Sequence, residues 1–130
     1  MSAIIKTTYE GKYLSTTKSP LNKEPIAANA VQFTPVDLLI SAYGSCLLGT
    51  IDYAAHLRHF EIKDVRTEIT YEMSEDKSKI GSIHIKVLFS DDYEADQKNT
   101  IEFATKDQCH VDNSLDSNIT KVYEFLYNNK

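Results

Sequence analysis

Several residue types are scarce in this 130-residue chain, which has no tryptophan, four glycines, three prolines and two cysteines. So little glycine and proline excludes collagen-like and low-complexity chains. The N-terminus has no apolar stretch of signal-peptide length, and no uninterrupted apolar run approaches about 18 residues, so we expect no leader and no transmembrane helix. The chain is therefore expected to be cytoplasmic, where two cysteines are more often free, catalytic or redox-sensing than a structural disulfide.

Arginine is equally scarce, because Arg58 and Arg66 are the only two and residues 1–57 contain none. The formal net charge is −5, from 14 basic and 19 acidic residues. A nucleic-acid binder needs a basic surface, so this composition argues against one. Arginine is also the side chain that best binds an oxyanion through two parallel hydrogen bonds. Its scarcity limits how this protein can bind an anion.

The remaining composition is that of an ordinary globular protein, with 42% hydrophobic and 25% charged residues. A chain of this length buries about two thirds of its unfolded surface, which suffices for one core without disulfides or a structural metal. We therefore predict a single domain over residues 1–130.

The strongest local pattern is the start of a helix at Thr34-Pro35-Val36-Asp37. A capping Thr, a Pro at the first helical position and an acid at the third form a variant of the capping box. The helix is predicted from Pro35 to about His59, and its first two thirds are apolar on nearly all faces. Such a helix is buried in a core or an oligomer interface. At roughly 37 Å it is longer than a small domain is wide, so we expect a second subunit to cover it.

The other predicted elements are mostly strands with alternating apolar and polar residues. In order they are a hairpin over residues 5–16, an irregular segment over 17–33 with a short strand at Val31–Phe33, long strands at Val65–Met73 and about 82–89, a helix at Tyr93–Lys106 opened by Ser90-Asp91-Asp92, a helical turn at Cys109–Leu115, and a strand at Ile119–Tyr127. The predicted fold is α+β, an antiparallel sheet with a long buried central helix that carries a cysteine.

Cys46 and Cys109 are the candidate catalytic residues. Cys46 lies inside the apolar helix, where most cysteines are simply small core residues. Cys109 lies in a polar loop with His110 beside it. Together they suggest a dithiol in which one sulfur is attacked and the other resolves the product. The histidines and cysteines lack metal-binding spacings, and nucleophile-elbow, P-loop and dinucleotide motifs are absent, so we predict no metal and no organic cofactor.

The chain resembles the OsmC/Ohr family, the osmotically inducible protein C and organic hydroperoxide resistance proteins. The resemblance is carried by Thr34-Pro35-x-Asp37-Leu38-Leu39, Ala42-x-Gly44-Ser45-Cys46 and Cys109-x-Val111-x-x-Ser114-Leu115, and the element order fits nearly the whole chain. It implies an OsmC-like fold and an intertwined homodimer with its active sites at the subunit interface. It also implies that Cys46 attacks an organic hydroperoxide and that Cys109 resolves the sulfenate as a disulfide.

Three positions depart from the peroxidase pattern of that family. Val36 stands where the peroxidases have a Glu, His110 stands where a Pro is common, and no N-terminal Arg is present, although Lys18 or Lys23 could supply a charge. Asp37 lies about 180° around the helix from Cys46, so we interpret it as a cap and not a catalytic partner. These departures indicate a divergent branch of the family.

The leading functional expectation is thiol-dependent reduction of organic hydroperoxides, restored by an external dithiol reductant. Tyr43, Leu39 and Phe33 are predicted to form an apolar substrate pocket. The alternative is a protein of the same fold that binds a small apolar ligand or senses oxidation without turnover, and a third is a structural dimer with both cysteines as packing residues. No nucleic-acid or membrane partner is expected.

Activation of Cys46 is the last expectation from sequence. An apolar helix interior penalises a thiolate, and neither arginine is placed to reach Cys46, since Arg58 is about three turns away and Arg66 faces solvent. We therefore predict a Cys46 pKa above about 7.5, close to that of an ordinary thiol.

Overall fold

The computed structural model describes residues 4–19, 23–29 and 32–129. The chain divides into two compact units, Met1–Ser41 and Ala42–Lys130. The prediction of one domain over residues 1–130 stays a prediction.

The first unit carries a small antiparallel sheet of order β1-β2-β3, with β1 at Lys6–Gly11, β2 at Leu14–Lys18 and β3 at Ile26–Ala28. The predicted hairpin is confirmed. β3 lies in the segment predicted to be irregular, because Ser15 and Thr17 of β2 offer it a pairing edge that local composition does not reveal. Of the short strand predicted at Val31–Phe33, Val31 lies outside the described residues and Phe33 forms part of a bend.

Helix α1 runs from Pro35 to Leu57, with the start that the sequence predicts. The Asp37 carboxylate accepts a hydrogen bond from the Thr34 N–H at 2.9 Å. The Thr34 hydroxyl accepts one from the Asp37 N–H at 3.1 Å. These two bonds form the capping box, so Asp37 acts as a cap.

The C-terminus of α1 is a Schellman motif, which explains why the helix stops close to the predicted residue. His59 has a left-handed φ of 64°. The Phe60 N–H donates to the Ala55 carbonyl at 3.0 Å, and the His59 N–H donates to the His56 carbonyl at 3.1 Å. The pair satisfies carbonyls that the end of a helix leaves without partners.

One face of α1 is fully buried in the second unit, through Tyr43, Leu47, Ile51 and Ala55 at intervals of four residues. Gly44 lies on the same side and permits a close approach, since a Cβ there would stand 2.9 Å from the Thr67 hydroxyl. Length and composition alone would allow α1 to cross a membrane, with a mean hydropathy of 1.3. Of that apolar stretch 39% is buried within the structure, and a single helix of this kind is weak evidence for a membrane span.

The second unit carries a sheet of order β4-β5-β6. Strands β4, Val65–Met73, and β5, Ile80–Phe89, form the predicted long antiparallel hairpin. The alternation is also confirmed on β5, because Ile83, Ile85 and Val87 are at most 1% exposed and face the core.

The return from β5 to the last strand passes through three helical pieces. These are α2 at Ala95–Phe103, a π-helical turn at Ala104–Gln108 and α3 at His110–Asn113. Helix α2 begins after Glu94, two residues later than predicted, because the Gln97 side chain accepts a hydrogen bond from the Glu94 N–H at 3.0 Å.

The last strand, β6, spans Thr120–Leu126 and pairs with β5 in parallel. The predicted α+β class is confirmed, although this sheet is mixed and not wholly antiparallel. A connection through helices carries the chain back to the end at which β5 began, and that geometry yields a parallel neighbour.

Candidate functional site

The two cysteines, distant in sequence, meet in the second unit. Cys46 lies midway along α1 and is partly exposed, whereas Cys109 is fully buried. Hydrogen bonding from the Cys109 thiol lowers the pKa of the Cys46 sulfur. The site therefore pairs a partly exposed sulfur with a buried one.

Backbone N–H groups of α3 also reach Cys46. Cys109 is extended, with φ −75° and ψ 120°, and it precedes the first residue of α3. The first N–H groups of a helix have no partner within the helix. Here those of Val111 and His110 lower the pKa of the Cys46 sulfur by hydrogen bonding, and the Val111 N–H acts on the Cys109 sulfur as well. The chain thus supplies uncharged donors to this sulfur.

The Thr50 hydroxyl lies one helical turn beyond Cys46. It donates to the Cys46 carbonyl at 2.7 Å and lies 3.9 Å from the Cys46 sulfur. The shorter contact takes the proton, so Thr50 lowers the pKa of Cys46 less than the Val111 N–H does.

The pKa of Cys46 is lowered from its ordinary value. Burial by itself raises the pKa, but the hydrogen bonds from the Val111 N–H, the Cys109 thiol, Thr50 and the His110 N–H outweigh it. The direction is opposite to the one that burial of the helix predicts. Arg66 points to solvent beside Glu68 at 3.5 Å, as expected, and Arg58 is exposed.

The pKa of Cys109 moves the other way, to about 11. Burial is the main cause, and the hydrogen bond to Cys46 and the charge there raise the pKa further. The pair therefore divides into a sulfur that ionises readily and a protonated sulfur that donates to it.

Cys46 opens onto a groove of about 560 Å³, the size of a small-molecule site. Its surface is mostly apolar. Its lining residues are Cys46, Gly49, Thr50, Tyr53, Leu57, Gln108 and His110. Four of them continue from Cys46 along α1 toward its C-terminus, and the other two flank Cys109.

The three residues predicted to bind substrate are not among the described lining residues of this groove. Tyr43 is fully buried, and its hydroxyl lies 3.4 Å from that of Tyr123. Leu39 is 39% exposed and Phe33 is half-buried, both in the first unit. The helical spacing i+3, i+4 and i+7 from Cys46 indicates Gly49, Thr50 and Tyr53, whereas the three predicted residues all precede Cys46 in the sequence.

No group of three or more His, Cys, Asp or Glu side chains that could hold a metal ion occurs within residues 4–19, 23–29 and 32–129. The chemistry that the described residues offer at this site is that of the two sulfurs and their hydrogen-bond donors.

Comparison with known proteins gives one family and several similar structures. A family model described as OsmC-like protein matches residues 28–124. No curated protein matches the chain.

The similar structures include a proposed osmotic stress induced and detoxification response protein from Psychrobacter arcticus 273-4, with 22% identity, a TM-score of 0.86 and 96% of each chain covered. An OsmC like protein from Mycoplasma pneumoniae has 18% identity and a TM-score of 0.78, covering 98% of this chain and 99% of the other. The organic hydroperoxide resistance protein OhrB of Bacillus subtilis has 16% identity and a TM-score of 0.70, covering 96% and 98%. At these identities the likeness shows the fold.

Proposed function

Because this chain belongs to the family of OsmC-like proteins, we propose that it reduces organic hydroperoxides in the defence against peroxide or osmotic stress. The observation that carries the proposal is the hydrogen bond from the buried Cys109 thiol to the groove-facing Cys46 sulfur. The structural likeness to organic hydroperoxide resistance proteins supports the same chemistry.

In the first step the Cys46 thiolate attacks the distal oxygen of the hydroperoxide. The O–O bond breaks, the sulfur becomes a sulfenic acid, and the alkoxide leaves and takes up a proton as the alcohol. A thiolate is the required nucleophile, so the lowered pKa of Cys46 favours this step. The mostly apolar groove suits the alkyl part of the substrate.

In the second step the Cys109 sulfur attacks the sulfenic sulfur, and a disulfide forms with release of water. The charge on Cys46 helps to keep Cys109 protonated in the resting state. Oxidation removes that charge, which lowers the cost of ionising Cys109 at the moment it must attack. An external dithiol then reduces the disulfide by exchange, and no metal or organic cofactor takes part. A cytoplasmic location, where thiols are kept reduced, suits this cycle.

Stopped-flow mixing of the reduced protein with an alkyl hydroperoxide tests the proposal. We expect rapid loss of both thiols in the native protein, and a rate at least about 100-fold lower in Cys46→Ser, because the nucleophile is gone. Equal, slow thiol loss in the two proteins would contradict the proposal.

We also propose that the protein is a homodimer. In the first unit Ile4, Ile5, Tyr9 and Tyr13 are 67–74% exposed, and Tyr53 and Leu57 on α1 are 66% and 61% exposed. Large apolar side chains exposed on each unit support a surface for association on each of them. We expect sedimentation at micromolar concentration to give the mass of two chains; a stable folded monomer would refute the dimer.

The groove favours one alternative function, which is the binding of a small apolar ligand without turnover. It has the volume for such a ligand and a mostly apolar lining. The stopped-flow comparison separates the two functions, because ligand binding without chemistry leaves both thiols in place.

A further inference from the structure

A buried carboxylate lies on the same short helix as the N–H groups that contact Cys46. Asp112 of α3 is 4% exposed. Its carboxylate accepts a hydrogen bond from the Tyr123 hydroxyl at 2.9 Å and forms an ion pair with Lys121. The Lys121 ammonium also donates to the Asp112 carbonyl at 3.3 Å. Both partners belong to β6, so these contacts attach α3 to the sheet.

The hydrogen bonds continue from the sheet to α1. The Tyr123 hydroxyl lies 3.4 Å from that of Tyr43, which is fully buried one turn before Cys46. Burial raises the pKa of both tyrosines, so both stay protonated and able to donate. The chain Tyr43–Tyr123–Asp112 therefore connects the helix that carries Cys46 with the helix that supplies its donors.

We propose that Asp112 is a positioning residue, which holds α3 through Lys121 and Tyr123 so that the Val111 and His110 N–H groups stay directed at the Cys46 sulfur. Asp112 is adjacent to Val111, so a shift of its carboxylate moves both donors. A buried ion pair is costly unless its geometry is maintained, and that cost makes the location of α3 specific. The role of Asp112 in turnover rests on the proposed peroxidase function. Its effect on the Cys46 pKa does not.

The direction of the effect separates positioning from simple charge repulsion. A carboxylate near a thiol raises the thiol's pKa, so removal of the charge alone would lower the Cys46 pKa. Loss of the N–H donors would raise it. The other titratable groups around these residues are Cys109, Tyr43, the His110 and Tyr53 side chains that line the groove, and Lys106, whose ammonium lies 6.0 Å from the centre of the Tyr123 ring. They are the same in the variants compared.

The test is the pH dependence of Cys46 alkylation by iodoacetamide, followed by peptide mass spectrometry, in the native protein and in Asp112→Asn and Tyr123→Phe. We expect the midpoint to rise by about one pH unit in Asp112→Asn, which corresponds to about tenfold slower alkylation at a pH below both midpoints. Tyr123→Phe removes the contacts of the hydroxyl with Asp112 and Tyr43 but keeps the Asp112–Lys121 ion pair, so its midpoint should rise less, in the same direction. Tyr123→Phe also tests the proposal if Asp112→Asn does not fold.

The matched control is Asp116→Asn, which removes the same charge four residues later from a surface pair with Lys79 at 3.9 Å. We expect its midpoint to equal that of the native protein. An unchanged or lowered midpoint in Asp112→Asn, or in Tyr123→Phe should the first variant not fold, would overturn the proposal. Alkylation uses no peroxide, so absence of peroxidase activity with a raised midpoint would refute only the proposed function. Activity with an unmoved midpoint would refute only the role of Asp112.

Discussion

Replacement of Cys109 with serine is expected to trap Cys46 as a sulfenic acid. After one equivalent of alkyl hydroperoxide, the native protein should contain a Cys46–Cys109 disulfide and react little with a sulfenic-acid probe such as dimedone. Cys109→Ser should instead be labelled close to stoichiometrically at Cys46. The reason is that the chain has only two cysteines, so the variant has no second thiol of its own to resolve the sulfenic acid.

Serine is the suitable substitute because its hydroxyl keeps a donor near the Cys46 sulfur. The Val111 and His110 N–H groups, which also lower the Cys46 pKa, are unchanged. The first oxidation step should therefore stay within a few-fold of the native rate. With excess hydroperoxide the variant should proceed to the sulfinic acid. Mass spectrometry reads all of these species, and equal dimedone labelling of the native protein and Cys109→Ser would contradict a resolving role for Cys109.

The second large effect is expected in the alkylation of the two thiols of the native protein. At pH 8 Cys46 should react at least about 100-fold faster than Cys109. A thiol with a pKa of about 11 has roughly one part in a thousand as thiolate at that pH. Cys46 has a lowered pKa and faces the groove, whereas Cys109 is fully buried. As the pH rises, Cys46 alkylation should level off first, while that of Cys109 continues to increase.

The control for this measurement is the same protein unfolded in urea. Both cysteines then have the ordinary thiol pKa of about 8.5, and their rates should converge. Equal rates in the folded protein, or faster alkylation of Cys109, would show that the hydrogen bonds from α3 do not stabilise the Cys46 thiolate.

The two expected results concern the two cysteines of one site, the reactive Cys46 and the buried Cys109. Burial raises the pKa of both sulfurs and N–H groups of α3 lower it at both, but only Cys46 also accepts a hydrogen bond from a thiol. The proposed attack by Cys46 therefore depends on these hydrogen bonds, and residues 1–57 contain no arginine.

Local sequence patterns determined much of the fold. The capping box of Thr34 and Asp37 fixed the start of α1, and alternating side chains on β4 and β5 identified the long hairpin. Both candidate cysteines were also identified from sequence. The helix start and the strand alternation depend on residues that are close together in the sequence, so the sequence alone is enough to predict them.

Only the tertiary structure decided how the site works. Burial of a thiol can be inferred from an apolar helix. The hydrogen bonds to Cys46, however, come mainly from residues far along the chain, and together they lower its pKa although burial raises it. The parallel pairing of β6, the groove on the C-terminal side of Cys46, and the contacts of Asp112 with Lys121 and Tyr123 have the same origin. Each depends on how whole elements are placed relative to one another. The packing of α1 and α3 and the pairing of β6 set that placement, and no local sequence pattern contains it.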